Sequence, residues 1–293
     1  MAIDAPCPPE VLASVGDLEL VARIVVEGLV SGLHRSPFHG YSAEFSQYRR
    51  YRPGDDLKYV DWKLLARTDR VYTKQFRETT NMAASFVVDA STSMDFPPGS
   101  IAAMTKFRYG VIIAAALAHV VSGQGDAVGL VAGNVVLPAR GGRQHLRRLL
   151  ASLASIAPAG AWNGPDVVRG AADRLSRRGL LIVVSDFYDD EERMTTELRR
   201  AQRMGHEVVL FQVLTRDEIE LPYSRDLEFA DLESGARLAV NAASARRDYR
   251  DAVADFLERM RSRALAEGFH YTLVVTDTAP ERALRSFLLS RQA

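Results

Sequence analysis

Three oxygen-bearing side chains, Asp89, Ser91 and Ser93, stand at alternate positions in the stretch Ala83-Ala-Ser-Phe-Val-Val-Asp-Ala-Ser-Thr-Ser-Met94. They follow Phe86-Val87-Val88, an apolar run with the length and β-branched character of a buried strand. A carboxylate with two hydroxyls is a hard donor set. Mg2+ suits such a set because it keeps several waters and takes few protein groups, and Mn2+ or Ca2+ are the other oxygen-seeking candidates. A second apolar run, Leu180 to Val184, ends in Ser185-Asp186. In an open α/β sheet, ligands bind outside the carboxyl ends of the strands. If these two strands are neighbours, Asp89 and Asp186 converge on one crevice. The same residues also have a purely structural reading, in which they cap the next helix and close a turn.

The elements around these strands alternate. Helical spacing predicts helices over 105–121, 143–156, 165–177, 191–204, 246–266 and 280–290. Strands are expected at 86–89, 127–131, 135–137, 180–184, 207–214 and 271–275, with a hairpin over 227–240 around Ser234-Gly235. Gly133-Asn134 is a tight-turn signal and places one antiparallel strand at an edge. Strands alternating with helices predict an α/β fold, a doubly wound and mostly parallel sheet covered on both faces. Ahead of it, Leu18, Val21, Ile24, Val25, Leu29 and Val30 predict an apolar helix face, with Asp17 as its cap. Residues 44–51 and 70–76 read as short strands, with a short helix over 56–67 between them.

Composition narrows the function classes. Lys+Arg and Asp+Glu both total 37, so no net field draws the chain to nucleic acid or an anionic membrane. One cysteine, Cys7, allows no intrachain disulfide and suits a reducing compartment. The longest apolar segment, around Gly110 to Val121, falls short of the ~18 residues that span a bilayer. The expected location is the cytoplasm, with membrane association only through a partner. Residues 47–77 hold nine Lys/Arg and four Asp/Glu with Tyr48, Tyr51, Tyr59, Trp62, Tyr72 and Phe76 interleaved. Such a mixture can stack on and grip nucleic acid. It also makes a solvated surface of paired ions, and that reading is preferred because the basic excess is slight and no nucleic-acid module pattern appears.

Four motifs in this front segment carry a resemblance: Arg35-Ser36-Pro37-Phe38, Gly40-x-x-x-Glu44-Phe45, Tyr51-x-Pro53-Gly54-Asp55-Asp56 and Asp61-Trp62-x-x-x-Ala66-Arg67. Together with the Asp-x-Ser-x-Ser strand end, they resemble the signature of a bacterial family of unknown function, DUF58, which carries a von Willebrand factor A-like fold. The resemblance implies a metal-ion-dependent adhesion site (MIDAS) with Asp89, Ser91 and Ser93 from a first loop and Asp186 from a third. It also implies an AAA+ ATPase of the MoxR type as partner, together with a client protein that the pair assembles or activates. Arg35, Asp55, Asp56, Asp61, Trp62 and Arg67 are the signature residues expected to meet a partner. Asp55, Asp56 and Asp61 have an alternative role, pairing with Arg49, Arg52 and Arg67. Lys58 stands where the family usually has arginine. The second loop departs from the family's Gly-Gly-Thr, reading Trp162-Asn163-Gly164-Pro165-Asp166 with no threonine, so the implied metal site is short of one ligand; Asn163 and Asp166 are the weaker substitute candidates, and either could equally cap the helix that Pro165 starts.

The expected organisation is an extension over 1–82 and a main domain over 83–293. The extension is expected to pack on the main domain, because so few apolar runs bury too little surface to fold alone. The expected function is non-catalytic: a bound cation joins the chain to an acidic side chain of a partner. A metal-assisted hydrolase using Asp89 and Asp186 is the alternative, but no Gly-x-Ser-x-Gly, His-Glu-x-x-His or P-loop pattern accompanies them. Nucleic-acid binding through residues 47–77 is the further alternative.

Overall fold

This computed structural model describes residues 8–30, 43–52, 55, 60–78, 82–96, 104–176, 178–188, 190–223, 226–230 and 237–290. Arg35, Asp56, Lys58, the Pro53-Gly54 turn and the Ser234-Gly235 turn lie outside the described residues.

Six strands form the main sheet: β3 (Ala83–Val88), β4 (Ala127–Ala132), β5 (Val135–Arg140), β6 (Gly179–Ser185), β7 (Glu207–Leu214) and β10 (His270–Val275). Their order is β10-β7-β6-β3-β4-β5, and every pair is parallel except β4 with β5. The antiparallel strand is therefore at the edge, as Gly133-Asn134 predicts. It runs three residues beyond the expected Leu137 and passes through Pro138. An edge strand tolerates proline because its outer N–H groups have no ladder partner to lose.

The central strands are buried on both faces, and alternation divides their side chains between two cores. Phe86, Val88, Leu180, Ile182 and Val184 face one core; Val87, Leu181 and Val183 face the other. On the first face lie α4 (Lys106–Gly123), α5 (Arg143–Ser155) and α10 (Pro280–Ser290). The second is covered by α6 (Gly164–Asp173), α7 (Glu191–Arg203) and α9 (Ala242–Glu267). α9 starts at Ala242, directly after a strand, earlier than expected from helical spacing.

Two further helices, α1 (Pro9–Ser14) and α2 (Leu18–Val30), pack over α4. Asp17 Oδ1 accepts from the N–H groups of Glu19 and Leu20 at 2.9 and 3.2 Å, the expected cap. Leu18, Val21, Ala22, Val25 and Leu29 are buried in the first core. The cover explains why α4 is apolar nearly all round: it has the sheet beneath it and α2 above.

A small antiparallel pair, β1 (Ala43–Arg50) and β2 (Tyr72–Glu78), carries α3 (Trp62–Thr68) between its strands. Asp61 caps α3, accepting from Lys63 N and Leu64 N, so the helix starts at Trp62 rather than at the expected 56. β8 (Asp226–Ala230) and β9 (Arg237–Asn241) form the second hairpin. A five-residue helix, α8 (Arg216–Glu220), follows β7 and was not expected.

One glycine is required by close approach. At Gly129 of β4 the register with β5 shifts, and an added Cβ would meet Ala139 N at 2.8 Å and Leu137 O at 2.9 Å. Both atoms are backbone and neither can turn aside. Gly129→Ala is expected to destabilise the fold by about 1–3 kcal/mol, the usual range for overpacking, read as a lower urea midpoint.

Candidate metal centre

β3 and β6 are hydrogen-bonded neighbours in parallel register, so Asp89 and Asp186 leave the same end of the sheet side by side. The Asp89 N–H still bonds Val184 O at 2.9 Å, which carries the pairing one residue past the strand. Asp89 is fully buried and Asp186 nearly so. Asp89 Oδ1 accepts from Ser91 N at 2.9 Å, and Oδ2 accepts from the Ser185 hydroxyl at 2.7 Å. The Ser91 and Ser93 hydroxyls lie 2.9 Å apart, and Ser93 donates to Asp186 Oδ2 at 3.1 Å. The four oxygen-bearing side chains predicted for the first and third loops are therefore brought together in one chain of contacts.

The third loop is held firmly. Tyr188 N donates to Asp186 Oδ1 at 3.2 Å, and Gln212 Nε2 donates to the Asp186 carbonyl at 2.8 Å. Gln212 is fixed in turn by the Tyr271 hydroxyl at 2.6 Å. Phe187, directly after Asp186, turns the chain at φ 58°, a left-handed conformation that is strained for a bulky residue.

Lys106, the first residue of α4, was not among the expected site residues. Its side chain is 1% exposed, and Nζ donates to Asp186 Oδ2 at 2.7 Å and to Glu218 Oε1 at 2.6 Å. Burial pulls its pKa down, but the Asp186 and Glu218 carboxylates more than offset that and hold the ammonium above its usual value. The other oxygen of Glu218 accepts from Thr215 N and Oγ1 at the start of α8, a capping box. One signal of the box was legible in Thr215-x-x-Glu218. The lysine's only sequence signal was its place at the start of an apolar helix, where it and Arg108 are the only Lys or Arg residues.

Charge in the crevice does not balance. Asp89, Asp186 and Glu218 are three carboxylates, Lys106 is one ammonium, and three less one leaves two formal negative charges. Among the described residues no ammonium or guanidinium pairs with Asp89. Burial first, and the Asp186 charge second, push the Asp89 carboxyl up to about 6. A hard dication would match both the oxygen donors and the missing positive charge, so the residues present fit such an ion.

The second-loop candidates bond each other, Asp166 also pairs with nearby arginines, and Asn163 borders the cavity beside Ser91. Asn163 precedes α6 and donates to Asp166 Oδ2 at 2.7 Å, while Asp166 lies 3.8 Å from Arg169 and 3.6 Å from Arg193. Beside Ser91 a cavity of about 590 Å3 opens, bounded by Ala90, Asn134, Ile156 and Trp162. The second loop is tied to the first across it, with Thr92 N on Gly160 O at 2.9 Å and Ala159 N on Ala90 O at 2.8 Å.

Two signature acids of the front segment, Asp55 and Asp61, have local partners. Asp55 accepts from Arg49 at 2.7 Å, from Arg52 N at 2.8 Å and from Thr73 at 3.2 Å. The backbone bond from Arg52 and the Arg49 side chain hold its carboxyl below the usual range. Asp61 caps α3 and accepts from the Tyr48 hydroxyl at 3.0 Å. Trp62 and Arg67 are exposed on α3.

A family model described as "Protein of unknown function DUF58" matches residues 47–259. The chain belongs to the DUF58 family. An uncharacterized protein of Mycobacterium tuberculosis is 33% identical over 234 residues, covering 78% of this chain and 72% of that one. The uncharacterized protein YeaD of Bacillus subtilis is 28% identical over 123 residues, covering 41% and 28% respectively. Among solved structures, BatB from Bacteroides thetaiotaomicron is similar at a TM-score of 0.48 and 14% identity, covering 72% of this chain and 98% of that one. The manganese-loaded TRAP protein of Plasmodium vivax is similar at a TM-score of 0.31 and 12% identity, covering 45% and 57%. The DUF58 chain has the mostly parallel α/β sheet with one antiparallel edge strand that its sequence predicts. Among its described residues, no helix is long and apolar enough to cross a membrane.

Proposed function

We propose that this DUF58 protein is a non-catalytic docking module of the MIDAS type. Asp89, Ser91, Ser93 and Asp186 would hold Mg2+ or a similar dication at the carboxyl end of β3 and β6. The observation that carries this reading is the convergence of these oxygens beside a fully buried carboxylate that, among the described residues, has no cationic partner. When bound, the ion supplies an exchangeable position that an acidic side chain of a partner can fill. The cavity beside Ser91 gives a partner segment room to lie next to that position. Binding is favoured over hydrolysis because both carboxylates are committed: Asp89 to Ser91 and Ser185, Asp186 to Ser93, Lys106 and Tyr188.

The partner proposed from the family resemblance is a MoxR-type AAA+ ATPase, which works with the module on a client protein. Trp62 and Arg67 on α3 are the signature residues open to meet it. The proposed setting is the cytoplasm, with membrane association through a partner. The test uses purified full-length chain and the MoxR-type ATPase of the same genome. Adding Mg2+ or Mn2+ is expected to raise the melting temperature of the wild type, and Asp89→Ala is expected to abolish the rise. The ATPase is expected to be retained by wild type and lost by Asp89→Ala. Equal retention by both proteins would remove the cation from the docking reaction.

A further inference from the structure

We propose that Lys106 is a resident cation of the crevice and sets how tightly a dication binds there, holding the affinity down. The inference rests on the docking-site reading above and concerns its regulation. Three observations support it. The ammonium shares Asp186 Oδ2 with Ser93, so it bonds the very oxygen that closes the contact chain between the two loops. It is buried, so water screens its charge little. It is divided between Asp186 and Glu218, and Glu218, itself in α8, is anchored by its second oxygen to Thr215 at the cap of that helix. Lys106 therefore partly satisfies Asp186 without a metal, which lets the crevice assemble in advance. The same positive charge opposes any dication that enters.

The two neighbours of the site then act with opposite sign. Removing the ammonium leaves three negative charges facing the ion in place of two. Removing the Glu218 charge leaves one, and turns the ammonium wholly onto Asp186. A scaffold role would instead weaken metal binding in both cases, because either change would loosen the ligands.

The experiment is a Mn2+ titration of the full chain by calorimetry, with the melting temperature as a second readout. Lys106→Met is expected to bind Mn2+ about tenfold more tightly or better, a change of the size that groups next to metal ligands commonly produce. Glu218→Gln keeps an acceptor for Thr215 N and is expected to bind Mn2+ more weakly than wild type. If Lys106→Met does not fold without metal, Glu218→Gln alone carries the test, and binding equal to or tighter than wild type overturns the proposal. Weaker binding by both variants, or an unchanged Lys106→Met, overturns the role of Lys106 and leaves the dication site standing. Absence of Mn2+ binding by wild type and both variants overturns the site itself, and the inference with it.

Discussion

In metal-free buffer, Lys106→Met is expected to lose about 3–5 kcal/mol of folding stability, the usual cost of stripping one partner from a buried ion pair. Methionine fills nearly the same space, so the loss is electrostatic rather than a cavity effect. What remains is Asp186 and Glu218, both facing a site from which their common cation has gone. Asp186 keeps Ser93 and Tyr188 as donors, and Glu218 keeps Thr215, but among the described residues no other ammonium or guanidinium pairs with either of them. Urea denaturation in the presence of a chelator measures the loss. Saturating Mg2+ is expected to return much of it, since a ligand at a hundred times its Kd adds about 2.7 kcal/mol. A loss below about 1 kcal/mol would mean that Lys106 is replaced by water with little penalty, and that the crevice is wetter than its burial indicates.

The parts of this molecule that were legible in the sequence are those written in local pattern. Phe86-Val87-Val88 and Leu180–Val184 read as buried strands because β-branched and apolar runs of that length have few other homes. Gly133-Asn134 announced the edge hairpin through turn chemistry alone. Asp89, Ser91, Ser93 and Asp186 were legible because they sit at strand ends, where the fold class itself dictates convergence. Lys106 was not legible in the same way. Its partners are 80 and 112 residues away, and nothing local aims a lysine at Asp186 and Glu218. α8 was missed because five residues are too few for helical periodicity to show. The extent of β5 was missed because Pro138 argues against a strand unless the strand is already known to lie at an edge. For Asn163 and Asp166 the contacts at the start of α6 are local, three residues apart, and only the approach of Arg193 from α7 lay beyond local reading.

Asp89→Asn is expected to do the opposite of Lys106→Met in metal-free buffer and make the protein more stable at neutral pH. The Asp89 carboxyl is pushed up to about 6, against about 3.8 for the free side chain, by burial and by the Asp186 charge. The folded state therefore prefers the protonated form. No penalty exists well below pH 4, where the group is protonated in both states. The penalty grows between pH 4 and pH 6 and is constant above. A tenfold change in proton affinity is worth about 1.4 kcal/mol, so ionised Asp89 costs about 3 kcal/mol at pH 7. Asparagine removes that charge and keeps an acceptor for Ser91 N, while the Ser185 hydroxyl can turn to accept from the new amide. Urea titrations from pH 4 to pH 8 in chelator should then show the wild type losing stability across this window relative to Asp89→Asn, with the variant ahead by about 2–3 kcal/mol at pH 7. The two curves should cross over when Mg2+ is added, because a dication needs the ionised carboxylate and rewards only the wild type. Curves that stay parallel in chelator would mean that Asp89 is ionised at no cost, and the crevice would then have no charge deficit for a metal to fill.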